Sequence, residues 1–260
     1  MTKLLSIGSD SKTTKGTKKG YLTGICYLTP WRSAHDDENL CSHATTDCAF
    51  ACLAFAGRAR DERPESGIAL ARNWRRHLWI HAPEVFFALL ALEVAALVRL
   101  AARKGLHPCV RLNGTSDILW ERYPEFHALC QTFPQVQFYD YTKVPLRSRR
   151  NRPTNYHLTF SWSGGNDAEC RIALTLGANV AVPYMSSLPI YDTFGPGRPV
   201  TVIDGDQSDL RFLDPAGVIV GLKNKPVSAK RLAKTGCQQF AKTPTQEGNF
   251  SKARISLAMA

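Results

Sequence analysis

Seven short apolar or β-branched runs, most of them ending in a polar tip, constrain this chain more than any other feature. They are YLTGICYLTP (Tyr21 to Pro30), PCVRLNGTSD, VQFYDYTKVP, YHLTFSWSGG, NVAVPY, VTVIDGD and GVIVGLKNK. Each has the length of a strand, and between most of them lie helix-like segments such as EFHALCQTFP and ECRIALTLG. Strands alternating with helices predict βαβ units and a mostly parallel sheet. Seven strands approach the eight of a closed barrel. The expected class is therefore α/β, a (β/α) barrel-like fold, partial or closed, with an open doubly wound sheet as the alternative. A chain of 260 residues suffices for one such domain.

Residues 1–19 carry Lys12, Lys15, Lys18 and Lys19 among Ser, Thr and Gly, and read as a flexible basic arm. Residues 20–226 read as the barrel-like domain and 227–260 as a C-terminal basic tail or accessory segment. The stretch APEVFFALLALEVAALVRLAARKG from Ala82 is the most apolar, but Glu93 and Arg99 interrupt it, and no run reaches the roughly 18 residues of a membrane span. Glu84 near its start, Arg99, Arg103 and Lys104 near its end and Gly105 beyond predict a long helix buried in the fold rather than a membrane partner.

The formal net charge is +11 and the sequence pI about 9.4, a balance that concentrates polyanions, nucleic acid first among them. Eight cysteines stand at 26, 41, 48, 52, 109, 130, 170 and 237. The opening MTKLLSIGSDSK lacks the apolar core of a signal peptide, so a reducing compartment is expected, where clustered cysteines point to metal or catalysis rather than disulfides. Cys26, Cys109 and Cys170 adjoin apparent strands or helices and read as small buried hydrophobes. Cys41, Cys48 and Cys52 are different. Three clustered thiolates suit three irons of a [4Fe-4S] cluster with the fourth iron open. They suit equally a zinc site completed by His43 or a remote residue, or no metal at all. On a helix, Cys48 and Cys52 would share one face.

In parallel α/β folds the C-terminal strand ends converge on one face, where sites are built. The tips here are rich in chemistry. Asp117, Asp140, Asp204 and Asp206 are candidate catalytic carboxylates for acid–base, nucleophilic or Mg²⁺-binding work. Arg111, Asn113, Thr115, Tyr139, Lys143, Ser161 and Lys223 are candidate substrate-binding groups. The loop RSRRNR places Arg147, Arg149, Arg150 and Arg152 between two strands as a candidate phosphate contact, and the Arg72–Trp74–Arg75–Arg76–Trp79 cluster would extend that surface. There is no HExxH, Walker loop or GxGxxG pattern, which disfavours ATPase and dinucleotide chemistry.

Taken as a set, GYLTGICYLTP, the segment from Cys41 through AGRA, VRLNGTSDI, VQFYDYTKVP, NYHLTFS, VIDGD with DLRFLDP, and GVIVGLK resemble a bacteriophage family called gene product eighty-eight. That resemblance implies a phage or prophage origin, hence the cytoplasm of an infected host cell, and little about chemistry. More distantly, the cysteine trio after the first strand is similar in placement to radical S-adenosylmethionine enzymes, although their three-then-two spacing is absent. That similarity implies a [4Fe-4S] cluster with S-adenosylmethionine as cosubstrate and a nucleic-acid or nucleotide-derived substrate. A fold-level similarity to tRNA-guanine transglycosylase-like barrels implies instead an iron-free base exchange through aspartates, or a nuclease. A non-enzymatic nucleic-acid-binding protein is the third expectation.

Overall fold

The structure is a computed structural model and describes residues 2–8, 11–30, 38–50, 52, 66–185, 187–224 and 241–243. All seven expected strands form. They are β2 (Tyr21–Cys26), β3 (His107–Arg111), β4 (Gln137–Thr142), β5 (Tyr156–Ser161), β6 (Val180–Tyr184), β8 (Val200–Asp204) and β9 (Ile219–Lys223). Two more join them, β1 (Leu5–Ile7) and β7 (Tyr191–Asp192), in the order β1-β2-β3-β4-β5-β6-β9-β8-β7. Only the edge pairs β1–β2 and β7–β8 are antiparallel. The sheet is open: among the described residues its two edge strands do not pair, so the barrel closes nowhere.

From β2 to β6 the spatial order follows the chain without reversal, through parallel pairs. Right-handed crossovers then put the intervening helices on one face. These helices are α3 (Gly67–His81), α4 (Pro83–Arg103), α5 (Pro124–Thr132) and α6 (Asp167–Thr175). Phe86, Leu90, Val94 and Leu97 of α4, Phe126 and Leu129 of α5, and Ala173 of α6 share one buried cluster with Val110, Phe138, Leu158, Phe160, Val180 and Ile219 of the strands. Each fully buried Leu, Val or Phe contributes about 1.5–3 kcal/mol. Strand residues alternate faces, so Cys109, Tyr139, Ala181 and Val220 look the other way. There the cover is thin: the short α1 (Ser11–Thr17) lies over β2, and Leu210 and Phe212 pack on Tyr21, Cys109 and Tyr139.

α4 is long and apolar enough, by composition, to cross a membrane. Here one of its stripes, Phe86 to Ala101, is buried against the sheet and α3. Gly105, at φ 63°, takes the left-handed conformation that stops the helix, with the Leu106 amide donating to the Ala101 carbonyl.

Residues 1–19 are not an arm throughout. Leu4 and Leu5 are buried, β1 pairs with β2, and Thr13 is buried in α1. The pull is polar as well as apolar: both carboxylate oxygens of Glu93, in mid-α4, accept backbone N–H groups, from Leu4 and Leu5 at 2.8 Å each. The charge that interrupts the apolar run of α4 is thus the acceptor that seats an edge strand. Of the expected tail at 227–260 only 241–243 is described. It bridges to β6 at Tyr184, and Lys242 pairs with the buried Asp192 at 2.7 Å; the rest of that segment lies outside the described residues.

Glu93→Ala should strip β1 of its anchor. A loss of about 1–3 kcal/mol is expected, read as a lower denaturant midpoint with an early loss of amide-exchange protection at Leu4 and Leu5. Unchanged protection there would show that β1 holds without Glu93.

Candidate functional site

On the thinly covered face, at the C-terminal ends of the parallel strands, the chain encloses a cavity of about 250 Å³. Its floor holds Arg111, Tyr141, Ala181, Pro183 and Leu222; its rim carries Thr115, Ser116, Asp117, Lys143, Ser161, Trp162, Asp206 and Lys223. Cys41, Ala44, Cys48 and Cys52 form the facing wall, and Lys15 of α1 reaches in.

The loop after β3 is the most densely bonded part of the rim, and a carboxylate on the far side of the sheet holds it. Asp140 lies on the helix-facing side of β4 with Phe138, whose ring meets Phe126 of α5. It is fully buried and accepts from the Asn113 amide at 2.7 Å, the Asn113 side chain at 3.3 Å and the Tyr156 hydroxyl at 2.9 Å. Asn113 then folds the loop around itself, accepting from Ser116 at 2.8 Å and the Ile118 amide at 2.9 Å. Gly114 brings the loop against β2: its amide donates to the Cys26 carbonyl, and an added Cβ would stand 2.5 Å from that oxygen.

That loop in turn carries the cysteine segment. The Asp117 amide donates to the Leu40 carbonyl at 2.8 Å, and the Cys41 thiol points at the Thr115 carbonyl at 3.8 Å. A second fastening lies beyond β5. Thr45 caps α2 (Thr46–Phe50), accepting from the Cys48 amide at 3.1 Å, while its hydroxyl donates to the Ser163 carbonyl at 2.9 Å. The segment therefore spans the mouth from the β3 tip to the β5 tip. The three cysteines are free thiols. Burial by itself would lower the Lys143 ammonium, yet Cys48, Asp117, Cys41 and Cys52 around it hold it above its usual value. One amine thus faces all three sulfurs.

The expected helical pairing of Cys48 with Cys52 does not form, because α2 ends at Phe50. Among the described residues no three His, Cys, Asp or Glu side chains stand close enough to share one ion. The donor set suits a thiolate-bound metal; in this arrangement the sulfurs line one wall without meeting at a point.

The candidate carboxylates divide. Asp117 and Asp206 line the cavity; Asp140 and Asp204 do not. Asp140 cannot act there because strand alternation sends it through the sheet. β8 ends at Asp204, which is exposed and accepts from the Asp206 amide at 2.9 Å in a turn. Asp117 accepts from the Lys143 amide with one oxygen; the other is buried, 3.6 Å from Arg149, and has no hydrogen-bond partner. Of the substrate-binding candidates, Arg111, Asn113, Thr115, Lys143, Ser161 and Lys223 all line the cavity. Tyr139 does not; it lies beneath the floor, its hydroxyl 3.4 Å from Asp209. Asp209, which the sequence places just beyond the candidate carboxylates without a role, also lines the cavity. It accepts from Arg111 at 2.9 Å and from Tyr141 at 3.3 Å. Only its place in the polar run after VIDGD hinted at it.

The basic loop is corrected more strongly. None of Arg147, Arg149, Arg150 and Arg152 lines the cavity. Arg149 is fully buried, clamped bidentately on the buried Glu121 and bonded to Thr142 at 2.8 Å. Arg147 pairs with Glu169 at 2.7 Å. Arg150 and Arg152 remain at the surface, beside a separate open groove with His157. Arg72, Arg75 and Arg76 of α3 are buried too; Arg75 and Arg76 bind the Tyr27, Thr29 and Glu38 carbonyls where the chain leaves β2. The basic–aromatic helix serves the interior rather than a phosphate surface.

Fold and site together define an open, mostly parallel α/β protein with a strand-end cavity walled by three cysteines. The family model described as Gene product 88 matches residues 3–242, and the chain belongs to that phage protein family. No curated protein and no solved structure matches it.

Burial of Asp140 pushes its carboxyl up to about 7, against the Asn113, Arg111, Tyr156 and Arg149 contacts that lower it. A carboxyl raised in the folded state favours folding fully below its unfolded value near 3.8 and loses that contribution as pH climbs toward 7, by at most about 1.4 kcal/mol per pH unit. Urea midpoints should therefore fall between pH 4 and pH 7, and Asp140→Asn should flatten that decline. An unchanged slope in the variant would mean that Asp140 is not the titrating group.

Proposed function

We propose that this protein is an enzyme in which Cys41, Cys48 and Cys52 hold a metal centre beside a cavity for a nucleotide-derived substrate, or for a single residue of a nucleic acid. One observation carries the reading. A cysteine segment fastened to the tips of β3 and β5 lays all three thiols along one wall of a strand-end cavity. None of these three belongs to a buried hydrophobic cluster, unlike Cys26, Cys109 and Cys130, whose burial raises them to about 12 and keeps them as inert thiols. Drawing the sulfurs onto one centre requires the segment to contract, and coupling of metal binding to local folding is the usual behaviour of such sites.

Three thiolates leave one iron of a four-iron cluster open, and such a cluster supplies one-electron chemistry to a cosubstrate such as S-adenosylmethionine when bound. The chain's own part is separate. Lys143 balances the thiolate charge, the Asn113 loop fixes the wall, and Trp162 and the apolar floor exclude water from the bound group. The net charge of +11 favours a phosphate-bearing substrate. Zinc on the same thiolates is the alternative occupant.

A second reading rests on Asp117, which lines the cavity with one carboxylate oxygen held only by a long, 3.6 Å ion pair to Arg149, an arrangement that suits an aspartate-led, iron-free base exchange or nuclease reaction. The non-enzymatic nucleic-acid-binding reading retains only Arg150 and Arg152 of its loop, since Arg147 and Arg149 are committed to Glu169 and Glu121.

Protein prepared anaerobically and supplied with iron and sulfide should be brown with about four irons per chain. Cys41→Ala/Cys48→Ala/Cys52→Ala should lose the colour and fold as before. Stoichiometric zinc lost in the same variant would assign zinc instead. A colourless, metal-free wild type would overturn the metal-centre reading and leave Asp117→Asn as the decisive variant.

A further inference from the structure

The floor of the cavity holds an arginine that is only half used. Arg111 ends β3 facing the cavity and is 4% exposed. Asp209 takes its Nη1 at 2.9 Å, and the Tyr141 ring lies 4.6 Å from its guanidinium carbon, fixing the plane. Its Nε–H is buried and has no acceptor among the described residues. A buried donor left without a partner costs about 1–3 kcal/mol, more for a charged group, so native proteins keep few of them. The Nε and Nη2 donors of a guanidinium form its side edge, the fork that matches two oxygens of a carboxylate or phosphate. In Arg111 the Asp209 bond falls on Nη1 rather than on that edge, and the residue lines the cavity.

We infer that the side edge of Arg111 is the anchor for an oxyanion, a carboxylate or phosphate group of the ligand, at the floor of the cavity. The inference rests on the proposed cavity being the ligand site and adds the chemistry of what enters it. The surroundings agree. Asp209 is held by Arg111 and by the Tyr139 and Tyr141 hydroxyls, Asp117 lies beside Arg149, and Asp206 accepts from the Lys223 amide, so each of the three cavity carboxylates has a donor or cation beside it. Lys143 at the wall and Lys15, bonded to the Asp206 carbonyl, add positive charge around the same space. Asp209 holds Nη1 and thereby turns the bidentate edge toward the ligand. Arg111 is then a binding residue and Asp209 a positioning residue.

The test uses full-length, metal-free protein and two base-free probes, inorganic phosphate and acetate, at constant ionic strength. In ¹⁵N-labelled wild type the Arg111 Nε–H resonance should move saturably downfield with one probe or both. Phosphate alone would mark a nucleotide-type phosphate, acetate alone or both a carboxylate-competent fork. Arg111→Lys keeps the charge but lacks the fork and should weaken binding by at least about tenfold, whereas Arg150→Gln, outside the cavity, should not. A resonance unmoved by either probe overturns the inference even if the lysine variant fails to fold; so does unchanged affinity in a folded lysine variant. Metal analysis stands apart. If anaerobic reconstitution loads no metal while the Arg111 resonance of the metal-free protein responds, the metal centre alone fails; if metal loads and that resonance stays silent, the anion anchor alone fails.

Discussion

The buried carboxylate of Asp140 organises this molecule. It is fully buried within β4, reaches the start of β5 through the Tyr156 hydroxyl and the β3 tip through Asn113, and so ties β4 to both of its neighbours. Every later contact at the mouth builds on that tie. Asn113 shapes its loop, the loop holds Thr115 and Asp117 in place, and these fix Leu40 and Cys41. A polar group this deep is expensive unless satisfied, and three donors from two strands satisfy this one.

Around that tie, the sheet separates stability from chemistry. One face is closed by α3 to α6 and an aromatic cluster in which Trp79, Phe86, Phe87 and Trp120 meet edge-on or stacked. Among the described residues the other face carries α1 and the Leu210–Phe212 turn over its lower half and the cysteine segment across the strand ends. The unreversed order from β2 to β6 produces this asymmetry. It also explains why a sheet that never closes still gathers its polar strand tips at one end, around the cavity.

Charge is distributed by the same division. Arg72, Arg75, Arg76 and Arg149 are spent inside, on carbonyls and on Glu121, whereas Arg111, Lys143, Lys15 and Lys223 face the cavity. A count of basic residues therefore overstates the basic surface. Long cationic side chains with apolar stems pack readily into such interiors when carbonyls or carboxylates are within reach.

Much of this was legible in the chain itself, because it depends on local pattern. Alternating strand and helix periods located seven strands and the helices between them, and the gathering of polar tips at one end follows from parallel connection alone. Arg111, Asn113, Thr115, Lys143 and Ser161, marked by that pattern, line the cavity, as does the cysteine trio, marked by its clustering. What required tertiary structure was every question of side and partner. Asp117 and Asp140 both follow an apolar run in the sequence, yet Asp117 lies in the loop beyond β3 and lines the cavity, while β4 continues to Thr142 and its alternation turns Asp140 to the helix-covered face. Arg149 is indistinguishable from Arg150 in RSRRNR until Glu121, 28 positions earlier, is brought beside it. The last two strands were also a tertiary matter: β9 inserts between β6 and β8 because IVGLK is buried along most of its length, while the half-exposed VTVID suits a place nearer the edge. Periodicity along a chain encodes which residues share a face; only the packing of distant segments determines what that face meets.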